Sequence, residues 1–210
     1  MRRVLIVDDH EVVREGVKKL LDEPPGNISC GEAGTPDQAL HMALTDEWDI
    51  VVLDLSLAGK SGLELLKELK QARPRLPVLV LTMHSEEQYA RRVFKAGAAG
   101  FITKDSPRAE LSKAIHKVME GGKYLSTALA EKLIIDLERG ADRPPDEKLS
   151  DREFQVMKLI ASGKTLSEIA GMLSLSDKTI STYRARLMEK MGMRTNAELT
   201  YYAIHNKLVD

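Results

Sequence analysis

Ile50-Val51-Val52-Leu53-Asp54-Leu55-Ser56 is a run of β-branched and large apolar residues that ends abruptly in a carboxylate. A short, continuously apolar run reads as a strand covered on both faces, as in a parallel sheet flanked by helices. An acid at the carboxyl end of such a strand stands in the crevice where open α/β sheets bind ligands. Val4-Leu5-Ile6-Val7 is a second run of this kind and ends in Asp8 and Asp9. Val78-Leu79-Val80-Leu81 is a third and ends in Thr82.

Between these runs the apolar spacing changes to three and four. Residues 10–21 set Val13, Val17, Leu20 and Leu21 on one face, and residues 38–44 and 63–69 repeat the pattern. Weaker strands over 28–33 and 100–103 complete a βα unit repeated five times. The expected fold class is therefore α/β, a five-stranded parallel flavodoxin-like sheet with helices on both sides. The helix after the fifth strand is predicted over 107–119 and stops at Gly121-Gly122. Residues 126–138 are predicted to be helical from Leu129, Leu133, Ile134 and Leu137. Residues 139–146 form a linker rich in glycine, proline and charge. Beyond it the pattern is helical throughout, with helices over 150–162, 166–173, 177–191 and 196–206. The expected domains are 1–122, a connecting segment at 123–146, and a small all-α domain over 147–210.

A chain of 210 residues holds one large domain or two smaller ones, and 43% apolar with 30% charged residues fits a soluble globular protein. No window approaches 18 consecutive apolar residues, and the N-terminal strand is too short for the core of a signal peptide. The single cysteine, Cys30, excludes an internal disulfide and suits a reducing compartment, so the expected location is the cytoplasm. Net charge is −1, which points to no partner. From Glu147 onward, however, ten basic residues face eight acidic ones, against 21 and 24 before it. That slight asymmetry has the direction expected of a DNA-binding tail.

Strands one and three are neighbours in the flavodoxin-like order, so Asp8, Asp9 and Asp54 are expected to converge at one sheet edge. Three such carboxylates repel one another unless a cation sits among them, and Mg²⁺ suits oxygen donors of this kind. Thr82 adds a hydroxyl at the end of the fourth strand, and Lys104 adds an ammonium after the fifth. A nucleophilic carboxylate, a divalent cation, a hydroxyl and a lysine form a phosphoryl-handling set. Neither G-x-x-x-x-G-K-[ST] nor G-x-G-x-x-G occurs, which argues against a nucleotide-using kinase or NTPase. Taken singly, a strand-end aspartate is usually a turn or cap residue and a lone lysine is usually solvated. Compatible groups at four strand ends are a different matter.

Asp8-Asp9-His10, Asp54, Val80-Leu81-Thr82-Met83-His84 and Gly100-Phe101-Ile102-Thr103-Lys104 resemble the receiver domain of bacterial two-component response regulators. The resemblance implies that Asp54 is the phospho-acceptor and that Asp9 binds Mg²⁺ directly, with Asp8 assisting and the Ser56 backbone carbonyl as a further ligand. It also implies that Thr82 and Phe101 are paired switch residues and that Lys104 contacts the phosphoryl group. The family often has a proline in the loop after the acceptor. Leu57-Ala58-Gly59-Lys60-Ser61-Gly62 has none, which bears on loop stiffness and phosphate lifetime.

In the tail, a projection at 100° per residue sets Ile180, Tyr183, Leu187 and Met191 on a face expected to be buried. The opposite face carries Lys178, Thr182, Ala185 and Glu189, flanked by Ser181 and Arg186. Arg184 lies at the edge of the apolar stripe, and Ser176 is placed to cap the helix. Such a helix can enter a major groove, although short amphipathic helices mostly cover a core. The stretches Leu149-Ser150-Asp151-Arg152-Glu153, Ile160-Ala161-Ser162-Gly163-Lys164, Glu168-Ile169-Ala170, Ser176-Asp177-Lys178-Thr179-Ile180 and Asn196-Ala197-Glu198-Leu199 resemble the LuxR-type helix-turn-helix.

With the receiver, the whole is similar to a NarL/FixJ-type response regulator. That implies DNA binding through Lys178, Thr179, Ser181, Thr182, Arg184 and Arg186, and a last helix that mediates dimerisation. The implied partners are a sensor histidine kinase as phosphodonor, double-stranded DNA and a second copy of the chain when phosphorylated or DNA-bound. RNA polymerase is a further candidate, and no membrane is expected.

The expected function is a phosphorylation-activated transcription regulator. It is not an enzyme beyond Mg²⁺-dependent self-phosphorylation and slow autodephosphorylation. The alternative is a small Mg²⁺-dependent phosphatase or phosphotransferase, but Leu55 and Ser56 offer no acid/base group beside the nucleophile. A third option is a protein-binding output in which the helical tail only dimerises. The five histidines have no metal-ligand spacing with each other or with Cys30, and His10 and His84 read as solvated or loop-packing residues. Glu86-Glu87-Gln88 and Arg91-Arg92 read as a charged helix face, and Cys30 as a strand residue.

Overall fold

The computed structural model describes residues 2–22, 28–57, 60–83, 86–127, 129–131, 144–206 and 208–209, and for 86–88 the backbone alone. They fall into two compact units, Met1–Ile134 and Ile135–Asp210.

The first unit alternates strand and helix five times: β1 (Arg2–Val7), α1 (Glu11–Leu21), β2 (Ile28–Ala33), α2 (Pro36–Thr45), β3 (Ile50–Leu53), α3 (Gly62–Ala72), β4 (Val78–Thr82), α4 (Glu86–Lys95), β5 (Gly100–Thr103) and α5 (Arg108–Met119). The strands lie in the order β2-β1-β3-β4-β5, and every pairing is parallel. All residues of β3 and β4 are buried, as continuous apolar runs demand when helices cover both faces. Val4, Ile6, Ile50, Val52, Leu79, Leu81 and Ile102 pack with Val17 and Leu21 of α1 and with Ala114, Ile115 and Val118 of α5. By strand alternation Leu5, Val7, Val51, Leu53, Val80 and Phe101 face the other layer, formed by α2, α3 and α4. There α4 buries Tyr89, Ala90 and Val93, which leaves its Arg91-Arg92 side less buried.

β1 begins two residues before its predicted start, and β4 ends at Thr82, as expected. Two glycines allow close approach. A Cβ on Gly31 would lie 2.2 Å from the Trp48 ring, and one on Gly100 would lie 3.0 Å from the Tyr124 carbonyl. Tyr124 uses that room to pair along the free edge of β5, taking the Phe101 N–H on its carbonyl at 3.1 Å and giving its own N–H to Ala99 at 3.0 Å.

Of the helix predicted over 126–138, residues 127 and 129–131 are helical, and the Ser126 carbonyl accepts the Ala130 N–H at 3.0 Å. The remainder of that helix, residues 139–143 of the linker, Ala58, Gly59 and His84 lie outside the described residues.

In the second unit a 3₁₀ turn (Pro145–Lys148) precedes α6 (Asp151–Ala161), α7 (Leu166–Leu173), α8 (Asp177–Met191) and α9 (Asn196–His205). Ser150–Glu153, Thr165–Glu168 and Thr195–Glu198 each form a reciprocal capping box, so three helix starts are satisfied within the chain. Ser176 caps α8 with its side chain, as its position predicts. The core joins Phe154, Val156, Met157 and Ile160 of α6 to Ile169, Ile180, Leu187, Leu199 and Ala203. Tyr183 was expected on the buried face but is only half-buried, while Met188 is buried instead. Helix α8 packs on both α6 and α7, which widens its buried stripe toward position 188. Glu153 is also buried, with Lys190 at 2.6 Å. Burial alone would raise its pKa, but the bonds from Lys190 and from the Ser150 N–H hold its carboxyl below the usual range.

Candidate functional site

Four parallel strands end along one edge of the sheet, and hydrogen bonds just past their ends keep the chains aligned there. Asp54 gives its N–H to Val7 at 2.9 Å, and Lys104 gives its own to Thr82 at 2.8 Å. The register Val7↔Leu53 places the next residues, Asp8 and Asp54, side by side. Both acids are 2% exposed. Ligand atoms of Asp8, Asp9, His10 and Asp54 lie within 4.8 Å of one another. Lys104 Nζ stands between the two buried acids, 2.6 Å from Asp8 Oδ2 and 2.7 Å from Asp54 Oδ2. Burial disfavours the Lys104 ammonium, yet its bonds to Asp54 and Asp8 outweigh that and hold its pKa above the ordinary lysine value. The Ser56 N–H reaches Asp54 Oδ1 at 3.1 Å, so both oxygens of this carboxylate are held.

Thr82 and Phe101 are both fully buried. Phe101 is the register partner of Val80, and Thr82 stands two residues further along the same face. The chain thus brings together Asp8, Asp9, Asp54, Ser56, Thr82 and Lys104, with Phe101 one step below.

His10, read from its place next to two aspartates as a solvated or loop-packing residue beside the acids, is exposed, and its imidazole reaches Asp9 at 2.8 Å and Asp8 at 3.2 Å. Two contributors escaped the sequence reading. One is Gly62, where a Cβ would lie 2.3 Å from the Asp54 carbonyl oxygen and 2.5 Å from Leu55 Cα. The other is Arg14, whose Nη1 donates to the Asp8 carbonyl at 2.8 Å while its Nε donates to Glu32 at 3.1 Å. No local pattern marks it, because its partners come from two other elements.

In the helical unit, α8 presents Lys178, Ser181, Thr182 and Arg186 to solvent, with Thr179 half-buried. Ser176 Oγ accepts the Thr179 N–H at 3.1 Å, and Thr182 returns its hydroxyl to the Lys178 carbonyl at 2.9 Å. Arg184, at the edge of the apolar stripe, is half-buried. Its Nε donates to Asn196 Oδ1 at 2.9 Å, which ties α8 to the first residue of α9. On α9, Tyr201 and Ile204 are exposed, and the Tyr201 ring stacks on His205.

Comparison with known proteins gives two family matches: the response regulator receiver domain over residues 4–116, and the bacterial regulatory proteins of the luxR family over 147–203. Among individual proteins, response regulator UvrY of Escherichia coli is 34% identical over 99% of this chain and 96% of its own. Response regulator GacA of Pseudomonas aeruginosa is 34% identical over 100% and 99%. Among solved structures, RcsB from Salmonella enterica serovar Typhimurium, bound to promoter rprA with the phosphomimetic BeF3-, is 26% identical over 96% of this chain and 97% of its own, with a TM-score of 0.65. A LuxR-family two-component response regulator from Aurantimonas is 36% identical over 66% and 98%, with a TM-score of 0.59.

Proposed function

This chain belongs to the response regulators that join a receiver domain to a LuxR-family DNA-binding domain, and from that premise we propose that Asp54 is its phospho-acceptor and α8 its DNA-reading helix. The protein is a phosphorylation-activated DNA-binding transcription regulator of a two-component system. The observation that carries the assignment of Asp54 is the Lys104 ammonium shared between two buried carboxylates. We assign the receiver to 1–122, the connection to 123–146 and the DNA-binding domain to 147–210.

The acid cluster fits a hard divalent cation, because its donors are mainly carboxylate oxygens within 4.8 Å and a cation there relieves their repulsion. Asp9, Asp8, Asp54 and the Ser56 carbonyl would hold Mg²⁺, which when bound offsets charge on the phosphoryl oxygens. An Asp54 oxygen attacks the phosphorus of a phosphohistidine on a sensor kinase. The P–N bond breaks, imidazole leaves with the electron pair, and an acyl phosphate forms on Asp54. Lys104 turns from the carboxylate to the phosphoryl oxygens. Thr82 turns its hydroxyl toward the same group, and Phe101 packs behind it. The same acids support self-phosphorylation from small donors. Slow hydrolysis by water then returns carboxylate and phosphate.

The output is a bias on a pre-existing equilibrium. Moving it from 1:99 to 99:1 takes about 5.5 kcal/mol of differential stabilisation. Two copies then bind DNA half-sites about 34 Å apart through Lys178, Thr179, Ser181, Thr182, Arg184 and Arg186. The exposed Tyr201–Ile204 face of α9 is available for pairing the copies. The RcsB promoter complex supports this reading. RNA polymerase is the natural further partner, and the cytoplasm the natural location.

The test is Mg²⁺-dependent labelling of the full chain by a small phosphodonor, then selection of bound duplexes from random DNA. Asp54→Asn is expected to take no label and to lose donor-stimulated binding. Undiminished stimulation in Asp54→Asn would refute the acceptor. Steady multiple turnover on a phosphate ester would point to an enzyme instead.

A further inference from the structure

Arg14 lies on the second turn of α1 and is 16% exposed in its side chain. Its Nη1 donates to the main-chain carbonyl of Asp8 at 2.8 Å, and its Nε donates to Glu32 Oε2 at 3.1 Å on the neighbouring strand β2. Glu32 is held in turn by Lys18, four residues further along α1, at 2.6 Å. Those two cations keep the Glu32 carboxyl below its ordinary range, the Lys18 bond contributing most. One guanidinium therefore links the end of β1, the first helix and the end of β2.

The bond matters because of which peptide it holds. The Asp8 carbonyl belongs to the peptide that joins Asp8 to Asp9, so its plane sets the directions of both side chains. Elsewhere in the turn the His10 N–H reaches Asp8 Oδ1 at 2.9 Å, and the Asp8 N–H reaches the Ala33 carbonyl at 3.2 Å. A flexible lysine would supply charge but not the fork, which places one N–H on the carbonyl and another on Glu32.

We propose that Arg14 is a positioning residue for phosphoryl transfer, locking the Asp8–Asp9 peptide so that both carboxylates face Asp54, with Glu32 orienting Arg14. This rests on the Mg²⁺ reading given above. Groups that orient ligands in this way change metal affinity by about tenfold or more when removed.

The test compares full-length wild type with Arg14→Met, which keeps length and removes the donors, Arg14→Lys, and Glu32→Gln. Mg²⁺ is titrated directly, with amide shifts of Asp8, Asp9 and Asp54 as the readout. The rate of labelling by a small phosphodonor is measured against Mg²⁺ concentration. Thermal stability is measured in chelator. Arg14→Met is expected to raise the Mg²⁺ Kd about tenfold, with the labelling rate largely recovered at saturating Mg²⁺. Arg14→Lys should restore part of the affinity, and Glu32→Gln should shift it the same way by less.

An unchanged Kd in Arg14→Met overturns the proposal. So does a loss of labelling that saturating Mg²⁺ does not restore, which marks Arg14 as generally structural. Should Arg14→Met not fold, Glu32→Gln decides by the same criteria. Wild type that binds no Mg²⁺ and takes no label would instead sink the underlying assignment of the site.

Discussion

Gly62 has no side-chain chemistry, yet the placement of Asp54, the proposed acceptor, depends on it. With a Cβ 2.3 Å from the Asp54 carbonyl, either the start of α3 or the end of β3 must move. Gly62→Ala is therefore expected to slow labelling of Asp54 by about 10²-fold, the scale at which a misplacement near 1 Å acts. Measured labelling rates at saturating donor and Mg²⁺ check this, and an unchanged rate would mean that the loop yields without moving the carboxylate. Asp8, Asp54, Thr82 and Lys104 were legible because each terminates a run whose period announces a strand. Gly62 and Arg14 were not, since their roles depend on backbone approach and on partners in other elements. Nothing in a linear pattern reports a distance between Gly62 and residue 54, or between Arg14 and a carbonyl six positions back.

At the scale of elements, helix boundaries in the tail were readable because Ser/Thr-x-x-Glu recurs where chain direction changes. The burial of Glu153 was not, because its cost is offset by Lys190, a residue 37 positions away. This pair makes the helical unit sensitive to acid. The Glu153 pKa is depressed in the folded state, so its contribution is present above the unfolded value of about 4.3 and is lost as pH falls through the lower folded value. Glu153→Gln should lower stability near neutral pH by about 1–3 kcal/mol and flatten the decline on acidification. Thermal unfolding followed from pH 7 to 3 checks both, and parallel slopes for wild type and variant would refute the coupling. The exchange of Tyr183 for Met188 has a similar origin. A single 100° projection describes one neighbour, whereas α8 has two.

At the scale of the molecule, the readout is attached to the same chain as the switch, and its footprint is electrostatic before it is specific. Lys178 and Arg186 are the exposed cations within the proposed contact set. Lys178→Ala and Arg186→Ala should each weaken binding to the selected duplex. Each should also reduce the slope of log affinity against log salt by about 1 where the lost contact is to phosphate. Filter or fluorescence titrations from 50 to 200 mM salt measure it, and an unaltered affinity in both variants would move the interface off α8. Arg184 should behave differently, losing stability as well as affinity, since it also secures Asn196.

The parallel pairing of β1 with β3 has a consequence for how the chain is made. Val4 has no β3 partner until Ile50 exists, and the buried acids have no ammonium until residue 104 has been added. At about 5–20 residues per second, synthesis from Asp8 to Lys104 occupies roughly 5–20 s. Through that interval a nascent chain carries first Asp8 and then also Asp54 without the ammonium that both face, and until residue 50 an apolar strand edge awaits its neighbour. The proposed phosphorylation site is thus among the last parts of the receiver to be completed, and an interrupted chain ending before residue 104 has the acids without the counter-charge that lets them be buried.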